Sequence, residues 1–595
     1  MRRAFPITLF LLAVVLQACQ LRDAAGPLSR RPSADRLSGK VETVVPDDAS
    51  IAGVGATQQF DATALNSEGD RAAGNATVHW ESSNPAVATV DDNGLATATG
   101  VGQTAITARA RGITGTATLT VTGAPSRLAF TVQPSDAAGA SPIAPAIRVV
   151  VQDEFGTTVA SASNAVTIAF ATNTTGATLS GTTTVTAVHG VATFSDLSVD
   201  RPGGGYTLTA TAPSLAGATS AAFAVHLTFR AISAGYDHTC AVTTDGAAYC
   251  WGSNSTGAVG DGTTSDRTSP VLVAGGLDFS SVSSGEFSPT TCGVAASGLG
   301  YCWGSNAEGE LGVGSVYVYG PQRCGSYPDA LPCSTVPVPV DGGLTFATIS
   351  VGGGHTCGVT INNAAYCWGT SGIGDGSTYG TRYSPTRVSG DLAWSSISAG
   401  GVSCGTTSGD VAYCWGYNGN NGLGSVGDGT TSDRATPVPV SGNLTFAQVS
   451  VGAATCALTI GRTAYCWGSD VDGLLGNGTT AGQAVPNPSP VLVSGGLTFV
   501  AISAGATHNC GVTAPGPAYC WGGNNNGQLG NGTTTTQTSP VRVSGDLPFA
   551  SVSAGVYHTC GVTTSGVAYC WGDNDYGELG DGTTNSSSTP VRVVQ

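Results

Sequence analysis

The sequence predicts an all-β chain: two short sandwich-type units followed by seven copies of a stacked or radial four-strand unit. Three observations carry this. A Y-C-W-G core recurs at Tyr249, Tyr301, Tyr366, Tyr413, Tyr465, Tyr519 and Tyr569, at intervals of 52, 65, 47, 52, 54 and 50 residues. Short apolar runs alternate throughout and are bounded by Gly, Asp, Asn and Pro, with no sustained 3.6-residue period that would call for a helix. The chain holds 87 glycines, about twice the usual share, without a Gly-X-Y period, which points to many tight turns.

Each repeat supplies four strand candidates. In the first copy they are F-x-x-[IV]-S from Phe229, H-T-C-x-V-T around Cys240, A-Y-C-W-G around Cys250, and P-V-x-V from Pro270. The second and third form a hairpin, because Thr244-Asp245-Gly246 suits a three-residue loop with glycine in the left-handed position. That register sets Cys240 opposite Cys250, close enough for a disulfide. The same ten-residue offset pairs Cys292 with Cys302, Cys357 with Cys367, Cys404 with Cys414, Cys456 with Cys466, Cys510 with Cys520, and Cys560 with Cys570. The alternative, a metal site, lacks the close Cys/His spacing of zinc motifs.

Connection lengths suggest which strands share a sheet. The fourth strand is joined to the next first strand by a short link such as Ala274–Asp278, whereas about eighteen residues separate the third from the fourth. Short links make hairpins and long ones crossovers. A sheet is therefore expected to combine the fourth strand of one repeat with the first three of the next. The ring would close by pairing Pro590–Val593 with the sheet of residues 229–251. The motifs S-x-G-x-x-H-[ST] and Y-C-W-G-x-N-x-x-G-x-L-G resemble the regulator of chromosome condensation (RCC1-type) repeat family over about 229–595. The resemblance implies a seven-bladed β-propeller. The family includes eukaryotic guanine-nucleotide exchange factors for a small GTPase, and a secreted bacterial β-lactamase inhibitor also resembles it. This chain departs by its paired cysteines; copies two, four and five lack the His, and copy three lacks the N-x-x-G-x-L-G segment.

The N-terminal segment 1–19 has the form of a signal peptide, with Arg2 and Arg3 before the apolar run Phe5–Leu16. Leu16-Gln17-Ala18-Cys19 resembles a bacterial lipobox, which would make Cys19 the acylated first residue of the mature protein. Gln20 is not the Asp that holds many such lipoproteins at the inner membrane, so an outer-membrane or cell-surface address is expected. Residues 20–40 are polar and aperiodic and serve as a flexible tether with a reach of roughly 25 Å. Residues 41–123 contain Val78–Ala108, which resembles bacterial Ig-like group 2 domains, with Trp80, Val87, Val90, Leu95 and Ile106 as expected core. Residues 124–227 contain LAFTVQPSDAAG, IRVVVQDEFGTTV and GVATFSDLSV, which resemble other bacterial Ig-like stalk domains. Residues 228–595 are the propeller.

Composition and motifs narrow the chemistry. Net charge is −16, with Lys40 the single lysine, which argues against a nucleic-acid-binding face. Gly401-Val402-Ser403-Cys404-Gly405 matches G-x-S-x-G, yet a nucleophile elbow needs a strand, a sharp turn and a helix, whereas the repeat puts Ser403 in a strand beside a disulfide. His238, His355, His508 and His558 are repeat-equivalent. Equivalent positions on packed sheets lie about 10 Å apart, too far to share one ion, so a loop-bracing hydrogen bond is expected. Asp261, Asp428 and Asp581 of the GDGTT turns are replaced by Asn477 and Asn531 in two copies, a swap that suits turns and not calcium ligation. No catalytic residue, metal or cofactor is expected.

One stretch breaks the repeat. Gly314–Val336 inserts Tyr317, Tyr319, Arg323 and Tyr327, residue types suited to an interface, with Cys324 and Cys333 placed to tie the loop. The sequence therefore predicts a lipid-anchored, extracytoplasmic, monomeric binding protein whose partner is a protein or cell-surface ligand, with membrane contact through the lipid anchor only. The alternatives are an exchange factor, as the repeat family suggests, and a secreted hydrolase or enzyme inhibitor.

Overall fold

The computed structural model describes residues 41–64, 77–110, 113–139, 141–315, 323–324, 331–418, 423–480, 485–514 and 516–594. Cys19, the leader, the tether, Tyr317, Tyr319 and Tyr327 lie outside them.

The first Ig-like unit packs the sheet Asp48–Ala52, Ile113–Thr122, Gly102–Ala110 and His79–Ser82 on the sheet Thr57–Gln59, Leu95–Ala98 and Ala88–Val90. Its core contains Phe60, Trp80, Val87, Ile106 and Leu119. Val90 is only half-buried against that core, and Leu95 is half-buried because its strand turns Ala96 and Ala98 inward instead. Gly94, just before that strand, leaves room for the Trp80 ring: a Cβ there would lie 2.8 Å from it. In the second unit, Arg127–Val132, Ile147–Gln152 and Val191–Phe194 form one sheet facing another built on Gly203–Thr211. Tyr206 is fully buried there, and its hydroxyl donates to the Arg201 carbonyl at 2.9 Å, which satisfies its one polar group.

Seven antiparallel sheets follow among the described residues. The first runs Phe229–Ala234, His238–Thr243, Ala248–Gly252, Arg267–Leu272. The hairpin register is the expected one: Cys240 stands opposite Cys250 and the turn leaves Gly246 at φ +105°. All seven expected bridges are present. Cys240 is bonded to Cys250, Cys292 to Cys302, Cys357 to Cys367 and Cys404 to Cys414. Cys456 is bonded to Cys466, Cys510 to Cys520 and Cys560 to Cys570. The insertion adds an eighth bridge, from Cys324 to Cys333.

The expected assignment of the fourth strand is corrected. Each fourth strand pairs with the third strand of its own repeat, as in Tyr249↔Leu272 and Cys250↔Val271, and the last strand, Ser587–Arg592, pairs with Ala568–Gly572 rather than with residues 229–251. The long segment 253–266 is not a crossover but a folded loop whose ends return to one place. Asn254 holds it: its Oδ1 accepts from Val259 N at 3.0 Å, and its Nδ2 donates to the carbonyls of Thr263 and Ser265, both at 3.1 Å. The short link 273–278 instead passes from one sheet to the next, a gap that six extended residues can span at about 20 Å. On the way it bonds under its own hairpin, Val273 N to Ala248 O and Phe279 N to Gly246 O.

The ring therefore closes by packing and side-chain hydrogen bonds, not by strand exchange. Every first strand carries a serine whose hydroxyl oxygen accepts a backbone N–H of the next blade. These are Ser233, Ser283, Ser350, Ser398, Ser450, Ser503 and Ser553, the last accepting from Ala234 of blade 1 at 3.0 Å. Every Y-C-W-G tryptophan donates Nε1–H to the preceding repeat's folded loop, from Trp303 to Ala258 O through Trp251 to Glu578 O, at 2.7–3.0 Å. The loop glycine must be small for this: a Cβ on Gly260 would lie 2.6 Å from Trp303 Nε1, and φ is already +75°. The core consequently lies between blades. Cys240, Cys250, Val259 and Val273 of blade 1 pack on Phe279 and Trp303 of blade 2.

Candidate interaction face

In a four-stranded antiparallel blade, the loops between strands one and two and between strands three and four project from the same end. The chain enters the propeller at Phe229, where a first strand begins, so this loop end faces away from the point of entry. The disulfide-tied insertion leaves blade 2 at the same end. There Asn306 N donates to Pro332 O, Arg323 pairs with Pro332, and the Arg323 side chain is exposed. Of the four interface residues expected in this insertion, Arg323 is thus the one within the described residues.

The rim of this end differs around the ring. From blade 7 through blade 2 it displays Tyr576, Tyr557, Tyr236 and Phe287, each about two-fifths exposed or more. Across the ring, blades 3 to 5 place Gly353, Gly401, Gly452 and Ala453 at the rim, around a recess of about 460 Å³ that also touches Phe287 and Tyr417.

Acidic groups gather where blade 7 meets blade 1. Glu578 is 1% exposed, and burial pushes its carboxyl up to about 8, with Asp573 and Asp237 adding their charge. Its Oε2 accepts from Tyr576 N at 3.0 Å. Burial, then Asp573 and Asp575, raise Asp237 to about 6. These four residues escaped sequence reasoning. The signal lies in two variable repeat positions: the residue before the His, which is Asp237 in copy one, and x of G-x-L-G, which is Glu578 in copy seven.

The histidines do not brace loops singly; each staples two blades. His238 Nε2 meets Thr291 Oγ1 at 2.8 Å, and Thr291 donates its hydroxyl hydrogen to Ala258 O at 3.0 Å. Since that hydrogen is committed, the imidazole must be the donor, which fixes the neutral Nε2–H tautomer. His558–Thr239, His508–Thr559 and His355–Ser403 repeat the arrangement. Burial holds all four imidazoles well below their usual range, to about 3–4. Ser403 of the G-x-S-x-G match is fully buried and donates to Gly372 O at 3.1 Å, so His355 faces it as a donor and not as a base. The Asp turns close on their own residues: Asp261 accepts from Thr263 N at 2.9 Å and pairs with Arg267 at 2.6 Å, and Asn477 accepts from Thr479 N at 2.9 Å. Among the described residues, no group of three or more His, Cys, Asp or Glu is arranged to hold a metal ion.

Residues 245–288, 463–512, 515–562 and 565–595 match the regulator of chromosome condensation (RCC1) repeat, as do 229–258, 499–528 and 549–578 with a second form of it. The C-terminal domain is an RCC1-repeat propeller. Residues 42–121 match the bacterial Ig-like domain, group 2. The ultraviolet-B receptor UVR8 of Arabidopsis thaliana is 28% identical over 315 residues, covering 51% of this chain and 66% of the receptor. The E3 ubiquitin-protein ligase HERC2 of Homo sapiens is 28% identical over 310 residues, covering 49% of this chain and 6% of the ligase. This chain thus spans less than two thirds of either relative. Prp20p from Saccharomyces cerevisiae, a structure described with its binding to Gsp1p and histones, superimposes at TM-score 0.50 with 18% identity, covering 62% of this chain and 88% of Prp20p. At that identity the likeness speaks for the RCC1 fold alone.

Proposed function

We infer that this protein is an exported lipoprotein that holds an RCC1 propeller outward on Ig-like spacers as a platform for binding a protein partner. The observation that carries the reading is the loop end of the propeller. It faces away from the point where the chain enters, and it displays exposed aromatic residues on blades 7, 1 and 2 beside the disulfide-tied insertion. Exposed Tyr and Arg supply large contact area and planar hydrogen bonding at modest entropic cost. Eight disulfides suit an oxidising, extracytoplasmic compartment. The anchor in this reading is the lipid on Cys19, the cysteine of the lipobox-like Leu16-Gln17-Ala18-Cys19. The shared residues of the seven copies make the ring, and specificity then resides in what differs between copies: Tyr317, Tyr319, Arg323 and Tyr327 of the insertion first.

The experiment is crosslinking on intact cells, with fractionation, for three forms of the protein. The parent captures a partner at the membrane. Cys19→Ala releases the protein from membranes or blocks its maturation. Replacing Gly314–Val336 by the equivalent segment of copy seven leaves the protein folded and weakens binding of the captured partner at least tenfold, about 1.4 kcal/mol. Unchanged capture by the replacement, or unchanged membrane partitioning of Cys19→Ala, would remove the corresponding half of the reading.

A further inference from the structure

The x position of G-x-L-G carries a buried Glu or Gln in three blades, and their comparison isolates one of them. Glu310 of blade 2 is satisfied on both oxygens: Oε2 accepts from Glu308 N at 2.8 Å and Oε1 from the Ser288 hydroxyl at 3.1 Å. Gln528 of blade 6 accepts from Asn526 N at 2.9 Å and donates to the Thr507 hydroxyl at 3.2 Å. In both blades the second partner is a hydroxyl from the loop between strands one and two. Blade 7 keeps the first bond, Tyr576 N to Glu578 Oε2, but where blade 6 has Thr507 it has Tyr557, whose ring is exposed at the rim. Glu578 Oε1 is buried without a hydrogen-bond partner. Burying such an oxygen unmatched is costly; with the junction empty the carboxyl keeps a proton up to about 8, and a cation that arrives from outside takes that proton's place while the proton leaves to solvent.

What surrounds that oxygen defines the donor. Asp237 and Asp573 act electrostatically on Glu578, and Asp573 and Asp575 act on Asp237, so four carboxyls share one junction. Asp573 is fixed there by its own N–H, which donates to Tyr557 O at 3.0 Å, and by Asn526 Nδ2 at 3.1 Å. The loop segments that build the junction, 235–237, 253–258, 555–557 and 573–578, contain no arginine or lysine. The exposed rings of Tyr236, Tyr557 and Tyr576 stand at the same rim. A buried carboxyl oxygen without a partner, neighbouring carboxyls and aromatic faces together suit a cation that carries N–H donors, displaces the carboxyl proton and can lie against a ring. A bare metal ion fits less well, since these carboxyls are not disposed around a common point.

We propose that the junction of blades 7 and 1 is a socket for a basic side chain of the protein partner, with Glu578 and Asp237 receiving a lysine ammonium or arginine guanidinium between Tyr236, Tyr557 and Tyr576. The proposal rests on reading this loop end as the protein-binding face. It adds that the partner presents a basic segment.

The test uses the full chain and fluorescein-labelled deca-lysine and deca-arginine, followed by anisotropy at fixed, near-physiological ionic strength. Glu578→Gln is chosen because blade 6 already carries Gln528 in that place, so the fold accepts it; an unchanged melting curve checks this. Glu578→Gln and Asp237→Asn are each expected to weaken at least one of the two peptides tenfold or more. Asp546→Asn, at the opposite end and ion-paired with Arg542, is expected to change either by less than twofold. The proposal is overturned if the junction variants bind like the parent, or if Asp546→Asn weakens binding as much, which would mean that net charge alone attracts the peptides. It is also overturned if about 1 mM calcium displaces the peptides from the parent and binds with the same dependence on Glu578, which would make the occupant an inorganic cation. Capture on intact cells separates this from the platform reading: a partner captured equally by parent and Glu578→Gln ends the socket and leaves the platform, whereas no capture by the parent ends the platform while the peptide result still decides the socket's chemistry.

Discussion

Two sides of one ring can be compared in this propeller. At three consecutive junctions, between blades 6 and 7, 7 and 1, and 1 and 2, a buried histidine reaches across to a threonine: His508–Thr559, His558–Thr239 and His238–Thr291. On the other side one such staple remains, His355–Ser403 between blades 3 and 4; Val402 and Ala454 take the histidine's place in blades 4 and 5, and the next blade bonds the loop without it, Thr455 to Ser425 O at 3.0 Å and Asn509 to Leu474 O at 2.7 Å. The stapled side also carries the acidic junction beside Tyr236, Tyr557 and Tyr576, while blades 3 to 5 set glycines around a recess that Tyr417 and several serines border. Yet both sides share the serine ring, the tryptophan bonds and the disulfides. The difference teaches that closure of the ring is written seven times over, so titratable and surface-exposed positions are free to diverge on one arc.

If the scaffold is indeed common, removing a bridge should cost the same on either arc. Closing a ten-residue loop limits the unfolded chain by about 2.5–3 kcal/mol on the chain-entropy model. Cys456→Ala with Cys466→Ala, and Cys560→Ala with Cys570→Ala, are therefore expected to lower propeller stability by about that amount each. Denaturant unfolding of the two double variants checks it. Costs that differ by more than about 1 kcal/mol would mean that one arc carries the ring and the other follows.

The histidine staples predict a second, smaller difference, and it has a sign. Burial lowers these imidazoles to about 3–4, so near pH 4–6.5 the unfolded chain binds protons that the folded chain refuses. Their contribution is intact above about pH 6.5 and is lost as pH falls toward 4, at about 1.4 kcal/mol per pH unit for each histidine. His558→Val, with Val402 as precedent in blade 4, is expected to lose about 1 kcal/mol at pH 8, the worth of one buried hydrogen bond. Below pH 6 its stability should fall less steeply than the parent's, by about one proton, so the two curves cross roughly one unit under the usual imidazole value. Glu578 works in the opposite direction: its folded carboxyl holds a proton up to about 8, so its contribution is present below 4.5 and fades as pH rises through 8. Stability against pH for parent, His558→Val and Glu578→Gln measures both limbs.

The strand pairs and disulfides were legible because they follow from local register: one loop length fixes Cys240 against Cys250, and six further copies agree. The blade assignment was not, because connection length cannot distinguish a crossover from a loop folded around Asn254. The histidine staples were half legible. Repeat equivalence pointed to a hydrogen-bonding role, but the partner, Thr291 for His238, belongs to the next copy and is met only when blades pack. The rim was least legible. Asp237 and Glu578 are 341 residues apart in sequence and become neighbours only when the ring closes. Each occupies a position that varies from copy to copy, so the repeat that announces the fold conceals the site.

The smallest effect concerns a turn. Blades 1 and 7 end their central hairpin with Gly246 and Gly566 in the left-handed region, at φ +105° and +81°. Blade 5 places Arg462 there, at φ +64°, in the same hydrogen-bonded loop, with Arg462 N donating to Thr459 O at 2.8 Å and Thr459 N to Thr463 O at 3.0 Å. A side chain in this conformation is disfavoured by about 1–2 kcal/mol, whereas glycine adopts it freely but gives the unfolded chain about 0.5–1 kcal/mol more entropy to lose. The balance favours glycine. Arg462→Gly is expected to stabilise the propeller by about 0.5–1 kcal/mol, and Gly566→Ala in blade 7 to destabilise it by a similar amount, since φ is positive there and a Cβ would lie 3.0 Å from Thr228 Cβ. Paired melting curves decide this. If Arg462→Gly is destabilising, the arginine must be held by contacts that outweigh its backbone strain, and blade 5 then gains at its turn what it lacks in a histidine staple.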